Sequence, residues 1–418
     1  MTPRGAKRRG KYGGYGANMR ERVKAAANIE TARALLSPSR RSDVPPFMVM
    51  DVMAAAARIE DAGGHVVHME VGQPAAPAPA TAIAAARRAL DHGRIGYTEA
   101  LGIPTLRNRI ARHYREQYGL TLDPGRVVVT TGSSGGFILA FLAQFEPGDR
   151  VAVASPGYPP YRNILMALGC EPVTIEISAA TRWAITVEAL LETHRKTPLK
   201  GVIVASPANP TGTMIDAEHL AALIRACEDA GIRFISDEIY HGLDYTFPAE
   251  TAVKFSERAL VINSFSKYFC MTGWRVGWMV VPEALVRAVD RLQQNLAISV
   301  PTLSQVAAEA AFDGRDEMEA VKRGYVENRR ILSEGLPRAG LETFLPADGA
   351  FYLYADVSRF TNDSLAFAKR MLEETHVAAT PGIDFDTAHG NQFIRFCYAG
   401  SNADMREAME RIGKWLNR

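Results

Sequence analysis

Between residues 127 and 281 the chain repeats one pattern: a short run of apolar, often β-branched residues, a turn, then a longer stretch with apolar positions at helical spacing. The short runs fall at 127–130, 151–154, 172–177, 202–205, 232–236, 260–263 and 276–281, and 216–229 is one of the helical stretches between them. Strands that are apolar throughout, rather than alternating, belong to a sheet covered on both faces, and intervening helices make parallel crossovers. The pattern predicts an α/β fold whose large domain, residues 71–300, holds a mostly parallel seven-stranded sheet flanked by helices. After Pro301 the period changes: a long helical segment runs to about Leu336, followed by strands at 350–355 and 393–397 with helices between and after them. This predicts a smaller α+β domain over 301–418, joined by the segment 44–70. No internal repeat interrupts this order.

Ligands of open α/β sheets sit beyond the carboxyl ends of the strands, so the residues there carry the candidate chemistry. Asp237 follows the run 232–236, where a carboxylate can pair with a protonated ring nitrogen. Tyr240, three residues on, shares its face if a helical turn begins there. The run 127–130 leads into Thr131-Gly132-Ser133-Ser134-Gly135-Gly136 and then an apolar helical segment, an order that offers free backbone N–H groups and a helix dipole to an anion. Further on, Asn263 to Lys267 and Met271 to Gly277 place one amine (Lys267), two hydroxyls (Ser264, Ser266) and one guanidinium (Arg275) close together. An amine condenses with an aldehyde, and hydroxyls with a planar guanidinium suit a phosphate. Pyridoxal phosphate carries both groups. Arg395 interrupts the apolar strand 393–397, and a charge in such a run must reach solvent or an anion.

Ser264-Phe265-Ser266-Lys267 followed by Thr272-Gly273-Trp274-Arg275-Val276-Gly277 strongly resembles the cofactor-lysine motif of class I/II aminotransferases, the fold type I pyridoxal-phosphate enzymes typified by aspartate aminotransferase. Asp237-Glu238-Ile239-Tyr240 resembles the family's D-x-x-Y segment, and Asn209-Pro210-Thr211-Gly212 its N-P-T-G loop, which local sterics alone would read as an ordinary turn. The resemblance implies that Lys267 binds pyridoxal phosphate covalently, that Asp237 meets the ring nitrogen, and that Asn209 and Tyr240 meet the ring oxygen. It implies that Tyr158 stacks on the ring and that Gly132, Ser133, Ser134, Ser264, Ser266 and Arg275 hold the phosphate. Tyr97 matches a tyrosine that reaches the phosphate of a neighbouring subunit, so a homodimer with shared sites is expected. Arg395 matches the residue that forks onto the substrate α-carboxylate, a geometry lysine cannot supply. Gly72 matches a loop beside that carboxylate, although Gln73 stands where the family has an acidic residue. The implied activity moves the amino group of an α-amino acid to a 2-oxo acid by a ping-pong exchange between the aldehyde and amine forms of the cofactor, with Lys267 carrying the proton. An aspartate aminotransferase-like specificity is one option and would need a second cation, for which Arg40 or Arg41 is a candidate; aliphatic and aromatic donors stay open. A β-lyase or cyclopropane-forming synthase on the same fold would use the same residues.

Composition narrows the classes further. With 418 residues the chain exceeds one hydrophobic core, and 48 Lys and Arg against 46 Asp and Glu leave +2, which argues against nucleic acid or an anionic membrane as the main partner. The four cysteines, at 170, 227, 270 and 397, form no C-x-x-C pair, and no long apolar span or signal-type segment occurs, so a reduced, cytoplasmic setting is expected. The nine histidines show no metal spacing, and His65 and His68 are expected to be structural. Residues 1–43 form a basic tail with Arg4, Lys7, Arg8, Arg9 and Lys11, expected to be flexible and solvated, and either Met1 or Met19 could be the start. About forty residues are too few for a DNA-binding module, which disfavours a regulator, and the joint presence of Lys267, Asp237 and Arg275 disfavours a non-catalytic protein.

Overall fold

A computed structural model describes residues 35–93 and 95–417. The chain divides into two units, Met1–Val44 and Pro45–Arg418. Most of the expected basic tail lies outside the described residues; within the first unit Arg40–Ser42 make a single 3₁₀ turn.

In the second unit the strands run β1 (Val67–Met69), β2 (Val127–Thr130), β3 (Arg150–Ser155), β4 (Glu171–Glu176), β5 (Gly201–Ala205), β6 (Arg233–Asp237), β7 (Leu260–Ser264), β8 (Gly277–Val280), β9 (Tyr352–Asp356), β10 (Val377–Pro381) and β11 (Phe393–Cys397). Seven of them form one sheet in the order β2-β8-β7-β6-β5-β3-β4. Only β8 runs antiparallel to its neighbours; the other pairs are parallel. In every strand of this sheet but the edge strand β4, alternate residues serve two separate cores, as the two-residue period of a pleated strand requires. Val127 and Val129 of β2, Val202 and Val204 of β5, and Trp278 and Val280 of β8 face one core. Val128, Ile203 and Met279, from the same strands, face the other. This two-sided burial is why the strands read as unbroken apolar runs.

The second sheet has the order β1-β10-β11-β9, with β1 parallel to β10 and the remaining pairs antiparallel. The helix Arg315–Arg338 and the helix Asn402–Leu416 pack on it through Leu332, Leu336, Met405 and Ile412. The long helical segment expected after Pro301 is split into Thr302–Ala311 and Arg315–Arg338 by a 3₁₀ turn at Phe312–Gly314. No helix among the described residues is long and apolar enough to cross a membrane.

Candidate active site

The carboxyl ends of β2, β5, β6 and β7 open on one edge of the seven-stranded sheet, and a cleft there is lined by Ser133, Ser134, Tyr158, Asn209, Asp237, Tyr240, Ser266, Lys267, Arg275, Gly72 and Arg395. Eleven of the residues singled out in the sequence therefore converge from segments spread over most of the chain. Tyr97, Gly132 and Ser264 do not line it. Ser264 is buried behind Ser266 and donates to its hydroxyl at 2.8 Å, and its own hydroxyl accepts from the Ser266 amide at 3.1 Å. Tyr97 is 84% exposed.

Lys267 follows the end of β7, and its Nζ donates to the Gly72 carbonyl at 2.5 Å. That approach needs a residue without a side chain, because a Cβ on Gly72 would meet the Tyr352 hydroxyl at 1.8 Å. Burial brings the Lys267 amine down to about 8, and the nearby Arg395 and Arg275 guanidiniums push the same way. Asp237, 4% exposed, accepts from the Tyr161 hydroxyl and from the Ile239 amide at 3.1 Å. Burial outweighs these bonds and lifts its carboxyl to about 6, so a cationic partner would be welcome beside it. No helix begins after Asp237. A turn instead carries Tyr240 into the cleft, where its hydroxyl pairs with that of Tyr352 at 2.7 Å.

The helix Gly132–Gln144 starts at the cleft, and its N-cap residue Thr131 makes no side-chain capping bond. Its first amides, with the Ser133 and Ser134 hydroxyls, leave donors for an anion. Gly132 has φ +65°, and a Cβ there would lie 2.4 Å from Nη2 of Arg275. The guanidinium thus lies across the helix start in space that only glycine leaves open. Arg275 donates to the Thr272 carbonyl at 3.0 Å and forms no ion pair among the described residues.

Arg395 projects from β11 with 2% exposure. Nη1 donates to Asn209 Oδ1 at 3.0 Å, and Nη2 to Thr380 Oγ1 at 3.0 Å and to the Glu70 carbonyl. The guanidinium carbon lies 4.5 Å from the Tyr352 ring centre and 4.7 Å from that of Phe385, while Nε has no partner. A cation held by neutral acceptors and two aromatic faces is costly to bury and is completed by an anion. Tyr161, Tyr352 and Phe385 were not picked out in the sequence: each looks like core packing until its position beside Asp237, Gly72 or Arg395 is known.

A buried amine of lowered basicity, a buried carboxylate and an unpaired anion cradle fit a phosphorylated aldehyde with a basic ring. The chain matches the family Aminotransferase class I and II over residues 64–412. It is 53% identical to the valine–pyruvate aminotransferase of Mycobacterium tuberculosis over 90% of this chain and 97% of that protein. The crystal structure of an aminotransferase from the same organism superposes with a TM-score of 0.89 at 52% identity, covering 91% of this chain and 99% of that one. The aspartate aminotransferase of Thermus thermophilus, solved with maleate, gives a TM-score of 0.85 at 32% identity over 90% of this chain and 99% of that one. The protein is an aminotransferase and belongs to the class I and II family, fold type I enzymes that use pyridoxal phosphate.

Proposed function

We propose that this aminotransferase takes an apolar, branched α-amino acid as donor and a small 2-oxo acid such as pyruvate as acceptor. One observation carries the reading: the cations lining the cleft are Lys267, Arg275 and Arg395, each with a use in the shared chemistry, and the rest of the lining includes the apolar Phe47, Val49, Met50, Val71 and Ile239. A second carboxylate, as on aspartate, finds no further arginine or lysine among these lining residues, whereas an aliphatic side chain finds apolar surface worth about 25 cal/mol per Å² buried. The 53% identical valine–pyruvate aminotransferase supports the same choice.

In this proposal Lys267 holds pyridoxal phosphate, Asp237 faces the ring nitrogen, Asn209 and Tyr240 face the ring oxygen, and Tyr158 packs on the ring. Ser133, Ser134, Ser266 and Arg275 hold the phosphate, with Gly132 giving Arg275 its room and Ser264 orienting Ser266. The cofactor, when bound, supplies an electron sink for charge developing at the substrate Cα. Arg395 docks the α-carboxylate and Gly72 closes on the same side. Freed from the cofactor, the Lys267 amine takes the Cα proton, a task to which a basicity near neutrality is suited. Asp237 stays ionised beside the ring nitrogen and stabilises its positive charge. The same pocket then serves the acceptor oxo acid, giving ping-pong kinetics. The residues around the larger sheet (71–300) form the cofactor-binding domain in this reading, and 44–70 with 301–418 the smaller one.

A panel of amino donors assayed with pyruvate and with 2-oxoglutarate, with products identified, tests the proposal. Valine should exceed aspartate in kcat/KM by at least about tenfold, the discrimination a few buried methyl groups supply. A preference for aspartate, or release of ammonia in place of an amino acid product, would overturn it.

A further inference from the structure

We propose that Asp384 is a positioning residue for donor selection: it fixes the apolar wall Phe47–Met50 relative to the carboxylate anchor Arg395 and so sets how strongly a branched side chain is preferred over a short one. This rests on the apolar-donor reading above.

β10 ends at Pro381 and runs into a 3₁₀ turn, Gly382–Asp384. The Asp384 side chain is 1% exposed, and its Oδ1 accepts from the Met48 amide at 3.3 Å, while its Oδ2 has no partner among the described residues. That is the first amide of the helix Met48–Asp61, whose own N-cap residue, Phe47, offers no side-chain acceptor. A helix start needs an acceptor for its free amides and favours a negative one. Here the acceptor is a carboxylate 336 residues away in the chain. The wall residues Phe47, Val49 and Met50 line the cleft immediately around that capped start.

The residue after Asp384 serves the other end of the substrate. Phe385 is fully buried and presents its ring to the Arg395 guanidinium at 4.7 Å. The turn is also fastened to the larger sheet's edge: Arg162 Nη2 donates to the Asp384 carbonyl at 2.6 Å, the Gly157 amide to the Phe385 carbonyl at 3.1 Å, and Ser155 Oγ to Asp386 Oδ1 at 3.0 Å. The wall has a second tie, Asn163 Nδ2 to the Pro45 carbonyl at 3.3 Å, and Phe47 packs edge-on against Tyr158 with ring centres 5.9 Å apart. Two consecutive residues of one anchored turn therefore touch the carboxylate anchor and the side-chain wall. The spacing between the two is built into the backbone of the turn. A donor with a single methyl side chain gains little from the wall, whereas a branched donor depends on where the wall stands.

The test uses the cofactor-loaded enzyme, its Asp384→Ala and Asp384→Asn variants, valine and alanine as donors, and hydrogen exchange at residues 48–52. Asp384→Ala should raise the KM for valine about five- to tenfold, the scale of a lost cap, with kcat and both constants for alanine held within about twofold. Exchange at 48–52 should quicken. Asp384→Asn keeps an acceptor oxygen and should restore both the valine preference and the protection. Should Asp384→Ala accumulate poorly, Phe47→Ala serves instead and should lose the same preference. An unchanged valine-to-alanine ratio in these variants, or an equal fall for both donors, overturns the positioning role while leaving the apolar-donor reading intact. A parent enzyme that prefers aspartate overturns both.

Discussion

At the scale of single residues the decisive property is the basicity of Lys267. An amine attacks an aldehyde only when neutral, and an ordinary lysine is almost fully protonated at neutral pH. Burial first, and the positive charges of Arg395 and Arg275 as well, lower the Lys267 pKa to about 8. Because the folded value is depressed, the reactive neutral form gains population as pH rises through about 8 rather than through the ordinary lysine range. Capture of pyridoxal phosphate by the cofactor-free protein, followed by borohydride trapping and mass analysis, should therefore accelerate with pH through a midpoint near 8 and level off about one pH unit above it. Arg395→Ala removes a repelling cation and should move this midpoint upward. Lys267→Ala should take up the cofactor without any trapped adduct, since the ring and phosphate contacts remain. A midpoint in the ordinary lysine range, or an adduct on another lysine, would contradict the assignment.

Among the elements, the start of the helix Gly132–Gln144 is the most demanding. Its first residue combines φ +65° with a Cβ position 2.4 Å from Arg275 Nη2, so a side chain there is strained by the backbone and also displaces the guanidinium. Gly132→Ala should weaken pyridoxal phosphate binding by about tenfold or more, the backbone cost alone being roughly 1–2 kcal/mol. Pyridoxal without the phosphate should bind the variant as it binds the parent. Equal affinity of parent and variant for the phosphate ester would show that Arg275 does not need this space. All seven strands of the larger sheet were legible in the sequence to within a residue or two, because each is flanked by turns and all but the edge strand β4 are buried on both faces. β1 and β10 were not. Val67–Met69 is three residues long with an exposed polar middle residue, and Val377–Pro381 ends in a proline and is rich in alanine, so neither carries a strand signal of its own. The same limit applied to the site. Residues inside motifs of fixed spacing, such as Lys267, Asp237 and Asn209, could be placed, while Tyr161, Tyr352, Phe385 and Asp384 owe their positions to contacts with distant segments.

The whole molecule carries a surface that a single chain leaves exposed. Thr302 Oγ1 donates to the Gly96 carbonyl at 2.5 Å, and Gln305 Nε2 to Thr98 Oγ1 at 2.9 Å, so the loop with Tyr97 is fixed against the segment after Ile298. On this fixed backbone Tyr97 is 84% exposed, Leu296 57% and Ile298 52%. Ile298 also has φ +62°, a region that β-branched residues avoid and that is tolerated where function requires it. Apolar side chains held rigidly in water, one of them in a strained conformation, suit burial against a second copy of the chain. A homodimer is therefore expected, with the Tyr97 hydroxyl reaching the phosphate cradle of the other subunit. Ile298→Asp puts a charge into such an interface while relieving the backbone, since aspartate accepts the left-handed region more readily. It should sediment as a folded monomer, where the parent should sediment at twice the chain mass. Tyr97→Ala should keep the dimer and bind pyridoxal phosphate about tenfold to a hundredfold more weakly, the loss of one hydrogen bond to a charged group. A parent protein that sediments as a fully active monomer at assay concentration would rule out a shared site and leave Tyr97 a surface residue.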